Sequence, residues 1–420
     1  MSKQNPLTLL TNVKTDRLNE LNAVLENIRQ SLQAGTDEEF KKLSTVHYCR
    51  WFILQQDSFR DETAFPVPVR LVFSSNYDGE EDNHLKEICT VFTKYLDQMY
   101  ACCEGYPDAS NRTTESRVNF LKQCGVKTDA FYIGAPGRTL KQIFEEDELR
   151  DHIWEFINKH NWNGKSALEI HEAIRQDVDS RSGFAWSKQK AKIPSVSWVG
   201  MGLLAIVMII LLPVLIIWLL IVHFFYERSD VNGAITLSQL DDAKVRRLEE
   251  DEDLFDQNQF TQAVVMKPGA VRLITVHALM LFARKLIGNL FVKGELMRIP
   301  TIHFARWVLI DNNKHMLFFS NFDGSWQQYL GDFIDQSGWG LTGIFSNTVN
   351  FPKTTFLFTG GAYDEEHFLA WSRSTQLPTQ VWYCAYPHLS IKNVNNNTYI
   401  RNELRSNLTE EQAQLFLKRF

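Results

Sequence analysis

The sequence predicts an α+β protein. One β-α-β-β-α-β unit is written twice, with a membrane-embedded helical segment between the copies. Three observations carry this reading. Two residue clusters recur in the same order: His47-Tyr-Cys-Arg-Trp51 matches His303-Phe-Ala-Arg-Trp307, and Ser75-Asn-Tyr-Asp-Gly79 matches Ser320-Asn-Phe-Asp-Gly324. The same strand and helix rhythm surrounds both sets. From Ile193 to Tyr226 the chain has no Asp, Glu, Lys or Arg.

In the first copy, Leu7–Val13 reads as a strand. Leu18, Leu21, Leu25, Ile28 and Leu32 then fall on one helical face. Residues 45–54 are β-branched and aromatic, a strand, and Val69–Ser75 is another. Leu85, Ile88, Phe92, Tyr95 and Met99 form a second helical stripe, and Ala130–Gly134 is the closing strand. The second copy repeats the order. Ala263–Met266 is strand, Leu273–Leu286 helix, Thr301–Ile310 and His315–Ser320 strands. Trp326, Tyr329, Leu330, Phe333 and Ile334 give a helical face, and Gln380–Ala385 closes the unit. Weaker matches extend the frame: Asn5-x-x-Thr8 with Lys14 parallels Asn258-x-x-Thr261 with Lys267, and Tyr132-x-x-x-Pro136 parallels Tyr383-x-x-x-Pro387.

This order is the ferredoxin-like split βαβ arrangement. Such a unit carries helices on one sheet face, so the other face needs a cover. Two units can cover each other, sheet on sheet, as an α+β barrel. The expected domains are a first unit over 1–165, a helical and polar approach over 166–194, a membrane segment over 195–226, a charged linker over 227–257, and a second unit over 258–420 with an insertion at 341–378.

Composition excludes some classes. The formal charge of −6 gives nucleic acid no basic excess to hold. The six cysteines show no CxxC or Cys/His ligand spacing, and all but Cys384 precede residue 125. Reduced thiols and no metal site are expected. The N-terminus has no apolar core of signal type, so synthesis in the cytosol is expected. No Walker loop, dinucleotide GxGxxG, HExxH or GxSxG is present.

The repeated clusters supply the candidate site residues: His47, His303, Arg50, Arg306, Asp78 and Asp323. Strand alternation places His47, Cys49 and Trp51 on one face and Tyr48, Arg50 and Phe52 on the other. His and Arg are then expected on opposite sides of each sheet. If His faces inward, His47 and His303 share a cavity. If Arg does, the buried cation needs a partner, with Asp78 or Asp323 nearest. At a strand-to-helix turn, Asp78-Gly79 and Asp323-Gly324 read as caps for the next helix or as acid/base carboxylates at a cavity mouth.

Ser320-Asn-Phe-Asp-Gly324 resembles the GxxDG motif of the dye-decolorising peroxidases, with Ser for the first Gly; Ser75-Asn-Tyr-Asp-Gly79 departs in the same way. Those enzymes have tandem ferredoxin-like units and bind haem. The resemblance implies peroxide chemistry assisted by the Asp, a distal arginine and a proximal histidine, for which His367 and His388 are available. The chain as a whole is similar to a group of bacterial proteins of unassigned function. That likeness rests on Asn258-Gln-Phe-Thr261, His303–Trp307, Ser320–Trp326, Phe351-Pro-Lys353 and Tyr383–Pro387.

Val196–Phe225 is longer than the roughly 20 residues a span needs. Arg175, Arg181, Lys188, Lys190 and Lys192 precede it, and only Arg228 follows closely. The basic flank puts the N-terminal side in the cytosol and favours a single crossing, leaving the side of the C-terminal domain open. Pairing of the copies favours return. So does Pro213, which divides the run into limbs of roughly 14 residues, each about 21 Å long and short of the bilayer core. Two functions follow as expectations. One is a membrane-anchored oxidoreductase, haem peroxidase-like, acting on a small or lipophilic substrate in the inter-sheet cavity. The other is a non-enzymatic binding or scaffold protein at the membrane.

Overall fold

Val46–Leu54 and Ile302–Ile310 are buried at every residue. An apolar strand of this kind needs cover on both faces. The computed structural model describes residues 3–230, 233–292 and 294–420 and shows what supplies it.

The first half runs β1 (Gln4–Asn12), α1 (Leu18–Gln33), β2 (Val46–Leu54), β3 (Arg70–Asp78), α2 (Glu81–Val91), α3 (Thr93–Tyr100), α4 (Thr114–Gln123) and β4 (Ala130–Ile133). Then come α5 (Leu140–Lys159), α6 (Ala167–Ser180), α7 (Trp198–Phe225) and α8 (Asp242–Glu249). The second half runs β5 (Gln257–Val265), α9 (Ala270–Asn289), β6 (Ile302–Ile310), β7 (His315–Asp323) and α10 (Trp326–Phe345). A hairpin of β8 (Thr354–Thr355) and β9 (Thr359–Gly360) follows, then α11 (Glu365–Thr375), β10 (Val381–Cys384), α12 (Ile391–Leu404) and α13 (Glu410–Leu417).

Two four-stranded antiparallel sheets form, in the orders β1-β3-β2-β10 and β4-β6-β7-β5. The fourth strand of each comes from the other half of the chain. β4 leaves the first half and pairs with β6, Ala130 opposite Trp307. β10 leaves the second half and pairs with β2, Val381 opposite Trp51. This corrects the expectation of two self-contained ferredoxin-like units. Neither half closes its own sheet, so no duplication of a self-standing domain is demonstrated. The fold is mixed α+β, and the two sheets stay separate rather than closing into a barrel.

One face of each sheet is covered by helices. Cys49, Trp51 and Phe73 pack with Leu21, Leu25, Ile88 and Leu96. Ala305, Trp307 and Phe318 pack with Met280, Tyr329 and Phe333. The opposite faces meet: Phe52, Leu54 and Val72 lie against Ala263, Val308, Leu317 and Phe319. The halves are knitted again outside the sheets, where Leu149, Ile153 and Ile174 share a cluster with Ile400, Leu404 and Phe416. Residues 166–194 belong to this layer, with the Ala191 amide on Asn402 Oδ1 (2.7 Å). The expected linker is also packed: Glu252 forms a buried pair with Arg373. The expected insertion at 341–378 starts inside α10, which bends at Ser337.

Among the described residues one helix, α7, is long and apolar enough to cross a membrane. It runs unbroken through Pro213, so the hairpin expected from that proline does not form. Both of its ends rest on the same body. The Ser197 amide bonds Asn289 O (2.9 Å) at one end, and Glu227, just past the other, takes the Phe356 and Leu357 amides (2.8 Å each). Between them Trp218 Nε1 donates to Thr275 Oγ1 on α9 (2.9 Å).

If each sheet needs the other half, neither half folds alone. Residues 3–192 and 233–420 expressed separately are expected to show no cooperative unfolding, and co-expressed to co-purify as one folded complex. A second tie joins the sheets at their far ends. Asp311, in the β6–β7 turn, pairs with Arg70 of β3 and with His315 (2.7 Å each). Burial alone would raise its carboxyl, but the His315 and Arg70 hydrogen bonds win and hold it at about 2. Its stabilisation is therefore full above the ordinary carboxylate value and lost as pH falls through about 2. Asp311→Asn should cost about 2 kcal/mol at neutral pH and flatten the loss between pH 4 and 2, read from urea midpoints.

Candidate functional site

The repeated histidines sit on β-bulges. Val46 pairs with Tyr77 and Tyr48 with Asn76, which leaves His47 as the extra residue. Ile302 pairs with Phe322 and Phe304 with Asn321, which leaves His303 in the same position. A bulge re-aims the side chain it carries. The freed backbone is used by the exchanged chain: Ala385 N donates to His47 O (3.0 Å) and Gly134 N to His303 O (2.8 Å). Beyond the bulge, alternation holds. Cys49 and Trp51 face the helices, while Arg50 and Phe52 face the other sheet.

The bulges correct the expectation that His and Arg lie on opposite sides of each sheet. His47 and His303 both flank Tyr386, with ring centroids 5.8 and 5.9 Å away. His47 Nδ1 lies 3.1 Å from Tyr386 Oη. Tyr48 packs against His303 and Tyr386 and donates to Gln257 Oε1 (2.5 Å). Both histidines are buried, at 0% and 1% exposure. Burial pushes the hydroxyls of Tyr48 and Tyr386 well up and the Cys384 thiol up to about 12.

Asp78 and Asp323 do not cap the helices that follow them. Gly79 and Gly324 turn the chain at φ of 90° and 79°, and each carboxylate reaches a later helix. Asp78 Oδ2 accepts from Leu140 N at the start of α5 (2.6 Å), and Asp323 Oδ2 from Ile391 N at the start of α12 (2.9 Å). An acceptor there satisfies an orphan amide and meets the positive end of the helix dipole. The second oxygen of each faces histidine. His303 Nε2 to Asp323 Oδ1 is an aligned hydrogen bond of 2.7 Å. His47 Nε2 to Asp78 Oδ1 is 3.2 Å but off the hydrogen-bond line, so we read it as a contact rather than a bond.

The arginines pair with neither aspartate. Arg50 crosses to the other sheet and donates to Gln259 Oε1 (3.0 Å), Phe260 O (3.0 Å), Thr261 Oγ1 (2.8 Å), Ser320 O (3.1 Å) and Asn321 Oδ1. Arg306 crosses back to Leu7 O (2.8 Å), Ser74 Oγ (2.6 Å) and Ser75 O (3.0 Å). Both guanidinium groups lie over Phe319, 5.6 and 5.4 Å from its centroid. Every acceptor is neutral. Burial lowers Arg50 to about 9; burial, then the charge of Arg50, lowers Arg306 further.

The remaining matched residues serve the same frame. Thr261 receives Arg50; Asn5 and Asn258 hold Gly79 O (2.7 Å) and Gly324 O (2.9 Å). Lys14 and Lys267 bond Ala101 O (2.9 Å) and Ser346 O (2.8 Å).

No family model, curated protein or solved structure matches this chain. The likeness to dye-decolorising peroxidases therefore gains no support, and the geometry does not fit a haem. The space between the sheets is filled by Tyr386, Tyr48 and Phe304 packed against one another. His388 is exposed beside Phe255, and His367 pairs with Asp364 on α11. The expected haem-peroxidase form is thus corrected, and no oxidoreductase activity is shown. Among the described residues no group of three His, Cys, Asp or Glu could hold a metal ion. A surface cavity of about 640 Å³ is lined by Glu172, Arg175, Lys188 and Arg405 among others, none of them in this network.

Sequence reasoning missed Tyr386, Tyr48 and Gln257. One signal was present. In the matched Tyr-x-x-x-Pro segments, Tyr386 stands where the first copy has Ala135. Both are buried in the same cluster, so the large residue on one side meets the small one on the other. Tyr386→Phe removes the hydroxyl that meets His47 Nδ1. It should lower stability by about 1–3 kcal/mol in urea unfolding, the cost of a buried polar atom left unpaired.

Proposed function

We propose that this chain is a monotopic, membrane-docked binding or scaffold protein, its whole body on one side of the bilayer. One observation carries the reading. α7 is apolar all round, yet only Val222 on it is buried, and both ends of the helix rest on one knitted body.

A helix that is apolar on every side belongs in a protein core or in lipid. Met201, Leu204, Met208, Leu215, Trp218 and Val222 are the more covered positions, a stripe at helical spacing. Leu219, Ile221 and His223 are also partly covered, while Val199, Leu203, Ile206, Ile209, Ile210, Val214, Ile217 and Phe225 face outward. Leaving such side chains in water forgoes about 1.5–3 kcal/mol each. At 28 residues the helix is about 42 Å long, more than a bilayer core. Crossing would part the two halves, and exchange of β4 and β10 holds them together. The helix then lies along one leaflet, with the body in place of the polar face that interfacial helices ordinarily carry.

Charge supports the cytosolic leaflet. Lys188, Lys190 and Lys192 are exposed just before α7. Arg284 and Lys285 are exposed on α9 near Asn289, which holds the start of α7. A basic cluster at that end suits anionic headgroups. His47, Arg50, Asp78, His303 and Arg306 are buried and Asp323 is partly buried, each engaged by neighbouring protein groups, which supports a structural role for them and a binding role for the surface.

Reporters fused at residues 1 and 420 should both face the cytosol, and the protein should resist carbonate and leave the membrane only with detergent. Ile210→Arg, on the exposed side of α7, should shift it toward the soluble fraction with its fold retained, since arginine in the hydrocarbon core costs about 2.5–3.5 kcal/mol. A C-terminal reporter on the far side, or a wild-type protein released by carbonate, would sink the proposal.

A further inference from the structure

The C-terminal end of α7 is fastened to the β8–β9 hairpin by one buried carboxylate. Glu227 accepts four hydrogen bonds: Thr354 Oγ1 (2.5 Å) and Leu357 N (2.8 Å) on one oxygen, Phe356 N (2.8 Å) and His223 Nδ1 (2.9 Å) on the other. The His223 ring, in the last turn of α7, stacks on Phe356 at 4.1 Å. The hairpin is therefore a rigid continuation of the helix end, not a loose loop.

Its tip is held at a conformational cost. Phe356 and Leu357 have φ of 51° and 65°. Bulky residues rarely adopt the left-handed region unless the surroundings enforce it. Leu357 turns inward and is buried, while Phe356 stays exposed. The neighbouring helix α10 is cleared to seat aromatics. A Cβ on Gly338 would stand 2.8 Å from the Tyr363 ring, and one on Gly343 would stand 2.7 Å from that of Phe358. Exposed Trp339 lies over Phe358, with centroids 6.4 Å apart. Phe356, Trp339 and Tyr363 are exposed aromatics, and Phe356 is joined to exposed Phe224 at the end of α7 through His223, whose ring packs on both. Arg228, over the Phe224 ring at 4.5 Å, and exposed Lys353 border them.

We propose that this hairpin, with Trp339 and Tyr363, is a second lipid-contact element. It sits at headgroup level and fixes how the body is rolled on the bilayer. The proposal rests on the membrane docking of α7. The occupant is lipid because Phe356 is joined through His223 to the end of α7, and because tryptophan and tyrosine beside basic side chains suit the membrane–water boundary. A single helix lying in a leaflet leaves the body free to rotate about it. A second contact off the helix axis removes that freedom.

The test uses the full chain, with Cys124→Ser, reconstituted into phosphatidylcholine vesicles. A nitrobenzoxadiazole fluorophore is placed on Phe356→Cys, and separately on Tyr363→Cys, where no left-handed backbone is at stake. Controls are Ile210→Cys on α7 and Leu415→Cys on α13. Lipids carrying a nitroxide quencher near the headgroup should reduce emission from 356 and 363, and lipids quenching deep in the chains should affect them less. The label at 210 should be quenched and that at 415 should not. Quenching at 210 with none at 356 and 363 overturns the hairpin proposal and leaves α7 docking intact. No quenching at 210 overturns the membrane reading itself. Stronger quenching at 356 by the deep lipid overturns placement at headgroup level.

Discussion

Each four-stranded sheet is incomplete until the other half of the chain delivers its last strand. β4 and β10 make the rest of the structure obligatory. Once they are exchanged, the sheets lie close enough to stack, and the unpaired faces of Phe52, Val72, Val308 and Phe319 are removed from water together. Arg50 and Arg306 then become reciprocal pins, each reaching through the interface to the backbone of the opposite strand pair. Two buried cations with only neutral partners carry a desolvation penalty. Five acceptors around Arg50 and the ring of Phe319 between the two groups are what offset it. The arrangement works only in one register, because sliding either sheet by one residue would present the wrong face to the guanidinium.

The same exchange organises the histidine cluster and the long apolar helix α7. The bulge carbonyls of His47 and His303 would lack partners at a free sheet edge; the arriving chain supplies Ala385 N and Gly134 N. The bulges aim both rings at Tyr386, and Asp78 and Asp323 link them to the first turns of α5 and α12. α7 sits on the outer surface of α9, a helix packed on β4, so the surface proposed to meet lipid is built directly over an exchanged strand.

Several residues were legible for plain reasons. Cys49, Trp51 and Arg50 follow strand alternation, which is a property of the pleat and needs no knowledge of partners. The helical face of Trp326, Tyr329 and Phe333 is periodic and buried. His47 and His303 were misplaced because a bulge adds a residue without any composition of its own. The sequence places the beginning of β5 too late, since Gln257, Asn258 and Gln259 look like loop residues; they are polar because Gln257 and Gln259 accept from Tyr48 and Arg50 and Asn258 donates to Gly324 O. Asp78 and Asp323 look like local caps in sequence, but their amide partners lie some sixty residues further along the chain.

Local periodicity and the absence of charge over Ile193–Tyr226 determined the central strands, the faces of α1, α9 and α10, and the apolar segment, because each depends only on neighbours along the chain. The matched clusters marked which residues would be buried together. Tertiary structure alone decided which strand completes which sheet. β4 and β10 are short strands of similar length and pattern, and pairing energy for such strands comes from cross-strand neighbours rather than from their own sequence. That choice in turn builds the single body to which both ends of α7, a helix of crossing length, are bound.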